Sequence, residues 1–354
     1  MSVSEYLLVV VLFFGFSLVI NGLFLKFSDT LGLRTPKESG IRWDSTQKPS
    51  FGGITFYILF LISVIAYSML DTEVGIVRNV EFLGLMLAAS IGFVAGLFDD
   101  AFNTKPLIKL GLQVLTGIVL ISSGTVINIT ENLFADSFIT LIWVIGIMNA
   151  INLLDNMDAI ASIVVIFILA CFLVIMQLNG LVDGPYVFIS VGLIAAIGGF
   201  LFFNWNPSKL YMGDTGSLFL GTIVAFLGIK YGWNMQVYEV EIPYWLKILA
   251  VLIIFIVPLT DTTTVFLKRI FSGRSPFIGG KDHTTHHLSY LGLNERAVAL
   301  IYSIIGLISL LSIVKLLSLF NHWNGFLTLA FVSYIIVVSG GLFYIACINR
   351  DKEV

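Results

Sequence analysis

The stretch IASIVVIFILACFLVIMQL, residues 160–178, contains no charged side chain. A transmembrane helix needs about 20 predominantly apolar residues to cross the hydrocarbon core of a bilayer, so this stretch predicts a membrane span. Ten further apolar runs lie on either side of it, near residues 5–27, 51–70, 81–98, 107–125, 137–154, 186–203, 217–232, 245–264, 297–318 and 325–347. The sequence therefore predicts an all-α integral membrane protein, a polytopic bundle of about 11 transmembrane helices.

The composition agrees with a membrane protein and excludes several other classes. Hydrophobic residues make up 58% of the 354 residues and charged residues only 12%, whereas soluble domains carry about 25% charged residues. No long polar linker separates the runs, so we expect a single transmembrane domain over residues 1–354. The net charge of -3 gives no general attraction to nucleic acid. Cys171 and Cys347 both lie in apolar runs, which indicates neither a disulfide framework nor a cysteine metal site.

The basic residues predict the orientation of the chain in the membrane. When alternate loops are grouped, 15 of the 19 Lys and Arg residues fall on one side. Because cytoplasmic loops are enriched in Lys and Arg, this distribution places the N-terminus outside and the C-terminus in the cytoplasm. The first run lacks a basic segment before it and a small-residue cleavage site after it, so it predicts a span and not a signal peptide.

Polar residues that are unusual in a membrane protein collect at the predicted cytoplasmic ends of the spans. They form five segments, namely Asp99-Asp100, residues 149–158, residues 204–217, Asp261 and residues 268–287. Ionisable residues at such positions indicate a functional site, and the alternative is a set of solvated loop ends. Clustered carboxylates become tolerable around a divalent cation, and Mg²⁺ prefers oxygen ligands.

The segment NWNPSKLYMGDTGS, residues 204–217, interrupts two spans with turn-forming residues. Gly213 and Gly216 flank Asp214 and let the backbone approach a ligand closely. We expect the next helix to begin near Thr215 or Ser217, so that its amides face a phosphate while Asp214 binds a cation. The alternative is a simple turn with an N-cap.

Asp155 and Asp158 lie three residues apart after the fifth run. On a continuing helix these two side chains would share one face. The alternative is that Asn156 or Asp158 caps the sixth span.

The segment KRIFSGRSPFIGGKDHTTHHL, residues 268–288, contains three of the four histidines. His283, His286 and His287 have the spacing of residues on one helical face, which makes zinc binding one interpretation. The absence of cysteines and the presence of Arg274 and Lys281 favour recognition of an anion such as phosphate. A positively charged cytoplasmic loop with incidental histidines is the third interpretation.

Together these segments resemble the polyprenyl-phosphate N-acetylhexosamine-1-phosphate transferases, membrane enzymes that begin the assembly of bacterial cell-surface glycans on a lipid carrier. The resemblance covers most of the chain. It rests on Asp99-Asp100 followed by Lys105-Pro106, Lys109 and Gln113, on NAINLLDNMD at residues 149–158, on residues 204–216, and on the histidine segment. It implies ten or eleven spans in the bacterial cytoplasmic membrane, with the active site on the cytoplasmic face.

The resemblance also implies roles for individual residues. Asp214 and Asn152 would bind Mg²⁺, with Mn²⁺ as the alternative ion, and Asp99, Asp100 and Asp155 would serve the chemical centre. The implied substrate-binding residues are Lys109, Asn149, Asp158, Asn204, Tyr211, Arg274, His283, His286 and His287. Of these, Asp158, Asn204 and Tyr211 would lie near the uracil.

Three departures from the family pattern refine this expectation. Ala159 stands where relatives usually have Gly, and His283-Thr-Thr-His286-His287 replaces the usual His-x-His-His, which leaves the role of His283 open. Residues 49–53 read PSFGG and not the PTMGG of the peptidoglycan-precursor branch. The sequence therefore resembles the amino-sugar branch.

The reaction implied by the resemblance is transfer of GlcNAc-1-phosphate, or a related N-acetylhexosamine-1-phosphate, from a UDP-sugar to undecaprenyl phosphate with release of UMP. The identity of the sugar, the glycan pathway, whether cell wall or O-antigen, and the oligomeric state are left open, although relatives are often homodimers. The rival interpretation is a transporter or flippase, whose acids should lie near the bilayer midplane. A lipid-phosphate phosphatase, with water as acceptor, is a second rival.

Overall fold

Helices account for nearly all of the regular structure. The computed structural model describes residues 3–28, 48–70, 78–237, 240–273, 275 and 280–349. The α-helices are α1 (Val3–Lys26), α2 (Gly52–Leu70), α3 (Val80–Phe102), α4 (Pro106–Ser122), α5 (Leu133–Leu154), α6 (Ile160–Leu178), α7 (Pro185–Asn204), α8 (Gly213–Leu227), α9 (Tyr244–Ile254), α10 (Ile256–Phe271), α11 (Thr284–Tyr290), α12 (Glu295–Ser318) and α13 (Gly325–Ile348). A π-helix (Gly228–Trp233) extends α8, and two short antiparallel strands, β1 (Gln236–Val237) and β2 (Val240–Glu241), precede α9.

The prediction of an all-α polytopic membrane protein is confirmed. Among the described residues, nine helices are long and apolar enough to cross a membrane, and the pair α9 and α10 makes ten if it is counted as one broken span. Helix α4 is apolar but shorter than these. The count of eleven spans, the orientation of the termini, the extent of the domain and a homodimer stay predictions.

The run predicted as a single span over residues 245–264 is instead two helices that meet at an angle of 81°. The break has a local cause in Pro258, which lies in the first turn of α10. Proline has no backbone N–H to donate to the carbonyl four residues earlier, and its ring collides with that carbonyl. That carbonyl belongs to Ile254, the last residue of α9. Helix α9 therefore ends where Pro258 prevents its continuation.

Helix α8 lies at the centre of the bundle. It packs against α2, α3, α5 and α6, and all of its residues except Asp214 are buried. Its contact with α3 requires glycine, because a Cβ atom at Gly96 would lie 2.2 Å from the carbonyl oxygen of Asp214. Since Asp99 and Asp100 follow Gly96 by one helical turn, this close packing brings them beside the start of α8.

Candidate functional site

Four side chains from four helices meet at one end of the bundle. The Lys109 ammonium, on α4, donates hydrogen bonds to Asn152 Oδ1 at 3.0 Å, to Asp99 Oδ2 at 3.5 Å and to Asp214 Oδ2. Asn152 lies on α5, Asp99 on α3 and Asp214 on α8. The side chains of Lys109, Asp99 and Asp214 are 18%, 17% and 29% exposed, so the cluster is enclosed by the fold and still open to solvent. We call these four residues the acidic centre.

The turn between α3 and α4 fixes the orientation of Asp99. Asn103 adopts a left-handed conformation and ends α3, and Pro106 occupies the first turn of α4, a position that proline favours. Within this turn, the backbone N–H and the hydroxyl of Thr104 both donate to Asp99 Oδ1, at 3.1 and 2.5 Å. With Oδ1 held by Thr104, Oδ2 faces Lys109.

Asp100 contacts the backbone at the start of α8. It accepts hydrogen bonds from the N–H of Asp214 at 3.1 Å, and from the N–H and hydroxyl of Thr215 at 2.9 and 2.6 Å. Gly213 has a φ of +75°, and a Cβ there would lie 2.5 Å from Asp100 Oδ2. Asp100 thus caps the first turn of α8. The sequence predicted that this helix begins near Thr215 or Ser217, and in the structure it begins at Gly213.

The oxygens of the acidic centre suit a hard divalent cation. Asn152 Nδ2 donates to Ser217 Oγ at 2.9 Å, and Oδ1 of the same amide accepts from Lys109 beside the two carboxylates. Two carboxylates and one amide oxygen are ligands that Mg²⁺ accepts, with waters and substrate phosphates completing its shell. In the described part of the chain, no group of three or more His, Cys, Asp or Glu side chains is arranged to hold a metal. Any metal here would therefore depend on Asn152 and on ligands from outside the protein.

Asn149 lies one turn before Asn152 and is used by the fold. Its amide and that of Gln113 exchange two hydrogen bonds, at 2.9 and 3.0 Å, which join α5 to α4. Asn149 Nδ2 also donates to the carbonyl of Ile145 at 2.9 Å. This pair holds Lys109 and Asn152 at a fixed separation, and a contact of Asn149 with substrate stays a prediction.

The prediction that Asp155 and Asp158 share a helical face is wrong, because α5 ends at Leu154. Asp155 follows as the C-cap. Asp158 accepts hydrogen bonds from the N–H and hydroxyl of Ser208, at 2.9 and 2.7 Å, and from Asn206 Nδ2 at 3.1 Å. Asp158 is buried and bonds to the loop after α7, whereas Asp155 follows α5 three residues after Asn152, and its role at the chemical centre stays a prediction.

Asn204, which the family resemblance assigned to substrate binding, holds the start of α6. The N-cap of α6 is Ala159, with φ of +68° and no side-chain cap, so neither Asn156 nor Asp158 caps this helix. The N–H of Ala159 donates to Asn204 Oδ1 at 3.0 Å, and Asn204 Nδ2 donates to the carbonyl of Leu210 at 3.0 Å. The left-handed conformation explains why the family usually has Gly at this position. A contact of Asp158 or Asn204 with uracil stays a prediction.

Tyr211 lies in the loop between α7 and α8, and its backbone is paired while its ring is only half-buried. Its N–H donates to the carbonyl of Pro49 at 2.9 Å, and its carbonyl accepts from Gly52 at 3.1 Å. The Lys48 ammonium lies 5.1 Å from the centre of the Tyr211 ring. A cation beside an aromatic ring suits the binding of a nucleotide. The contact of Tyr211 with uracil stays a prediction.

The histidine segment folds around buried Asp261. This carboxylate accepts from His283 Nδ1 at 2.8 Å and from the N–H and hydroxyl of Thr284 at 2.8 and 2.5 Å. Helix α11 begins at Thr284, and His283 is its N-cap in an extended conformation. The prediction that all three histidines share one helical face is therefore wrong for His283, because Asp261 holds it outside the helix.

The other two histidines are buried and neutral. Burial, followed by the charge of His283, lowers the pKa of His286 to about 3. Burial, followed by the charge of Lys268, lowers the pKa of His287 to about 4. The Lys268 ammonium donates to His287 Nε2 at 2.8 Å and to the carbonyl of Ala346 at 2.8 Å. At neutral pH these two histidines can offer hydrogen bonds to a ligand but no positive charge.

Two further contacts position the histidine segment. Arg269 forms a buried bidentate ion pair with Asp282, with N–O distances of 2.7 and 2.6 Å. Thr285 Oγ1 donates to Asn156 Oδ1 at 2.6 Å, which joins α11 to the loop that carries Asp155. Arg274, the remaining residue predicted in this segment, lies outside the described residues.

Sequence reasoning missed several residues that support the site. Asn206 Nδ2 donates to Glu295 Oε2 at 2.8 Å, and Arg296 Nε donates to the carbonyl of Asn206 at 2.9 Å, so the start of α12 is bound to the loop around Asp158. The roles of Thr104 and Ser217 in orienting Asp99 and Asn152 were also missed. A hydroxyl residue near an acid in the sequence carries no signal that the two will pair across a turn or a helix contact.

The fold and the site together define a class of protein. It is an integral membrane helix bundle with acids, a lysine and amides clustered at one end. Residues 82–232 match the family model described as glycosyl transferase family 4, and this range contains the whole acidic centre. The chain is similar to the probable undecaprenyl-phosphate N-acetylglucosaminyl 1-phosphate transferase of Bacillus subtilis (strain 168), with 31% identity over 274 residues, which cover 73% of this chain and 71% of the relative. The chain belongs to glycosyl transferase family 4.

Two other relatives match comparable lengths. The decaprenyl-phosphate N-acetylglucosaminephosphotransferase of Mycolicibacterium smegmatis is 28% identical, over 77% of this chain and 72% of the relative. The phospho-N-acetylmuramoyl-pentapeptide-transferase of Listeria monocytogenes serovar 1/2a is 28% identical, over 80% of this chain and 87% of the relative. The resemblance inferred from the sequence motifs is thus confirmed at the level of the family.

Proposed function

We propose that this protein transfers a sugar-1-phosphate from a UDP-sugar to a polyprenyl phosphate and releases UMP, as a multi-pass enzyme of the bacterial cytoplasmic membrane. The observation that carries the proposal is the acidic centre, which is built from four helices at one end of the apolar bundle and lies within the family match. The printed functions of the relatives from Bacillus and Mycolicibacterium support GlcNAc-1-phosphate as the group transferred.

The position of the site suits its two substrates. A polyprenyl tail is confined to the membrane, whereas a nucleotide sugar is soluble, so their phosphates can meet only where spans end. The acidic centre occupies such a place, because Asp99 and Asn152 lie near the ends of α3 and α5 and Asp214 lies at the start of α8. A transporter would need its acids near the bilayer midplane, so this placement favours the transferase.

Asp99, Asn152 and Asp214 would hold Mg²⁺, or Mn²⁺ in its place. When bound, the ion neutralises charge on the pyrophosphate and on the departing UMP. Asp100 positions Asp214 by binding the first turn of α8. Lys109 offers the positive charge of the centre that a phosphate oxygen would contact.

The chemistry needs little proton transfer. A phosphate monoester has a second pKa near 6, so the lipid phosphate is largely ionised at neutral pH and its oxygen can attack the β-phosphorus of the UDP-sugar directly. Phosphoryl transfer depends mainly on positioning and electrostatic stabilisation. We therefore assign no general base to the centre: Asp99 would serve as a ligand of the ion, and Asp155 would contribute to positioning and charge balance. The neutral His286 and His287 would contribute hydrogen bonds to the nucleotide sugar or to the fold around it.

The test is release of UMP from UDP-GlcNAc by the purified protein with undecaprenyl phosphate, with and without Mg²⁺, beside a panel of other UDP-amino sugars. Release that requires both the lipid and the ion is the expected result. Asp214→Asn should lower turnover at least about 100-fold, the scale of losing one key electrostatic contact. The matched control is Asp183→Asn, which removes an exposed carboxylate in the loop before α7.

Three outcomes would contradict the proposal. Failure to release UMP with any donor would favour the transporter interpretation. Release of inorganic phosphate from the lipid, without UMP, would indicate a phosphatase. Normal turnover by Asp214→Asn would remove the acidic centre from the reaction.

A further inference from the structure

The Lys109 ammonium lies in the position that a divalent cation would take. Its three N–H groups are matched by three acceptors, namely Asp99 Oδ2, Asn152 Oδ1 and Asp214 Oδ2. These are the same three oxygens that suit a metal. One internal cation and one external cation therefore share a single set of ligands.

A cation stabilises the acidic centre. The carboxyl groups of Asp99 and Asp214 contact each other as well as Lys109, and ionised carboxylates in contact repel each other. The Lys109 ammonium offsets this repulsion through its bonds to both carboxyl groups. The site can thus form without a metal, and the acceptors that would attract a divalent ion are the ones that Lys109 occupies.

The oxygens are held by neighbours other than Lys109. Thr104 holds Asp99, Ser217 holds the amide of Asn152, and Asp100 holds the backbone of Asp214. Lys109 is anchored differently, because a lysine side chain is a flexible four-carbon stem and this one is partly open to solvent. Exchange of one cation for the other therefore requires movement of one side chain and leaves its ligands in place.

We propose that Lys109 is a built-in counter-cation that a divalent ion must displace from Asp99, Asn152 and Asp214. Displacement frees the ammonium to contact a phosphate oxygen of the substrate, so metal binding and readiness for substrate are coupled through this side chain. The second step rests on the proposed function, whereas the exchange of cations does not.

The first experiment measures binding of Mn²⁺ to the full-length protein in detergent, without nucleotide or lipid, from the electron paramagnetic resonance signal of the free ion. Lys109→Met removes the competing charge, so it should bind Mn²⁺ at least about tenfold more tightly than the unmodified protein. Lys105→Met is the matched control, because Lys105 is exposed just before α4 and its charge is screened by solvent. Asp214→Asn should lose the binding, which assigns the ion to this site.

A second experiment uses the unmodified protein and does not depend on folding of a variant. An amine-reactive acylating reagent is applied with and without Mn²⁺, and the modification of each lysine is followed by mass spectrometry. Displacement predicts that Mn²⁺ increases labelling of Lys109 several-fold relative to Lys105. Labelling that stays constant or falls, or equal or weaker Mn²⁺ binding by Lys109→Met, overturns the proposal.

These outcomes are separate from those of the proposed function. If Mn²⁺ displaces Lys109 but no donor yields UMP, the exchange stands and the reaction is different. If UMP is released while Mn²⁺ leaves Lys109 unchanged, the reaction stands and the exchange is wrong.

Discussion

Replacement of Asp100 tests whether this residue positions the centre or takes part in the reaction. Its carboxylate accepts three hydrogen bonds, two of them from backbone N–H groups at the start of α8. A hydrogen bond to a charged group contributes about 1.5–3 kcal/mol, and contributions that share one acceptor do not add fully. We therefore expect Asp100→Ala to lower the free energy of unfolding by about 2–4 kcal/mol.

Activity should fall together with stability. Asp214 is carried by the turn that Asp100 binds, and a displacement of about 1 Å in a reacting group can cost about 100-fold in rate. The assay combines thermal unfolding with UMP release at a temperature where the variant is folded. Asp100→Asn keeps one oxygen for Thr215 and should lie between the unmodified protein and Asp100→Ala in both measurements.

Asp158→Ala provides the matched comparison. Asp158 also accepts three hydrogen bonds, from Ser208 and Asn206, but it does not touch the turn that carries Asp214. It should cost similar stability with a smaller loss of turnover. If Asp100→Ala unfolds at the normal temperature and yet has no activity, a positioning role for Asp100 is refuted and a direct chemical role takes its place.

Three further predictions concern the histidine segment and the helix contact behind the centre. Asp261→Asn places an N–H opposite His283 Nδ1 and should force the imidazole proton to Nε2, which ¹⁵N NMR of labelled histidine would detect, whereas Asp183→Asn, at an exposed loop before α7, should leave the His283 signal unchanged. The pKa of His286 is lowered to about 3, so between about pH 6.5 and pH 3 the unfolded chain binds a proton at this residue and the folded chain does not. The free energy of unfolding should therefore fall as the pH is lowered through this window, and it should fall less steeply in His286→Gln. Gly96→Val should prevent close packing of α3 on α8 and abolish UMP release, while the same change at exposed Gly111, where a Cβ meets nothing within 4 Å, should not.

Much of the fold followed from the sequence because membrane spans carry a strong signal. Every predicted run except 245–264 coincides with one helical segment, since a stretch with few charges has few alternatives in a bilayer. The break after Ile254 was not predicted, although Pro258 was visible. A proline in an apolar run can kink a span or end it, and the 81° bend depends on what packs against each half.

The centre was predicted better than its surroundings. Asp99, Asn152, Asp214 and Lys109 were named from the sequence, and the structure brings them together. The relation of Lys109 to the predicted metal ligands could not be seen, because it depends on α4 packing against α3 and α5. The histidines were placed on one face by their spacing alone. A cap was not considered, and His283 became one because Asp261, on another helix, binds it.

The carboxylates of the site divide by the kind of donor that each one contacts. Asp100 and Asp158 accept hydrogen bonds from backbone N–H groups and short side chains. Asp261 accepts from the backbone and hydroxyl of Thr284 and also from His283. Such partners cannot move away without local unfolding. Asp214 contacts the ammonium of a flexible lysine, and Asp99 keeps one oxygen for the same partner. A carboxylate that must exchange its protein partner for a metal or a phosphate needs a partner that can move. By this physical criterion we expect Asp99 and Asp214 to be the acids that meet substrate, and Asp100, Asp158 and Asp261 to hold the loops around them.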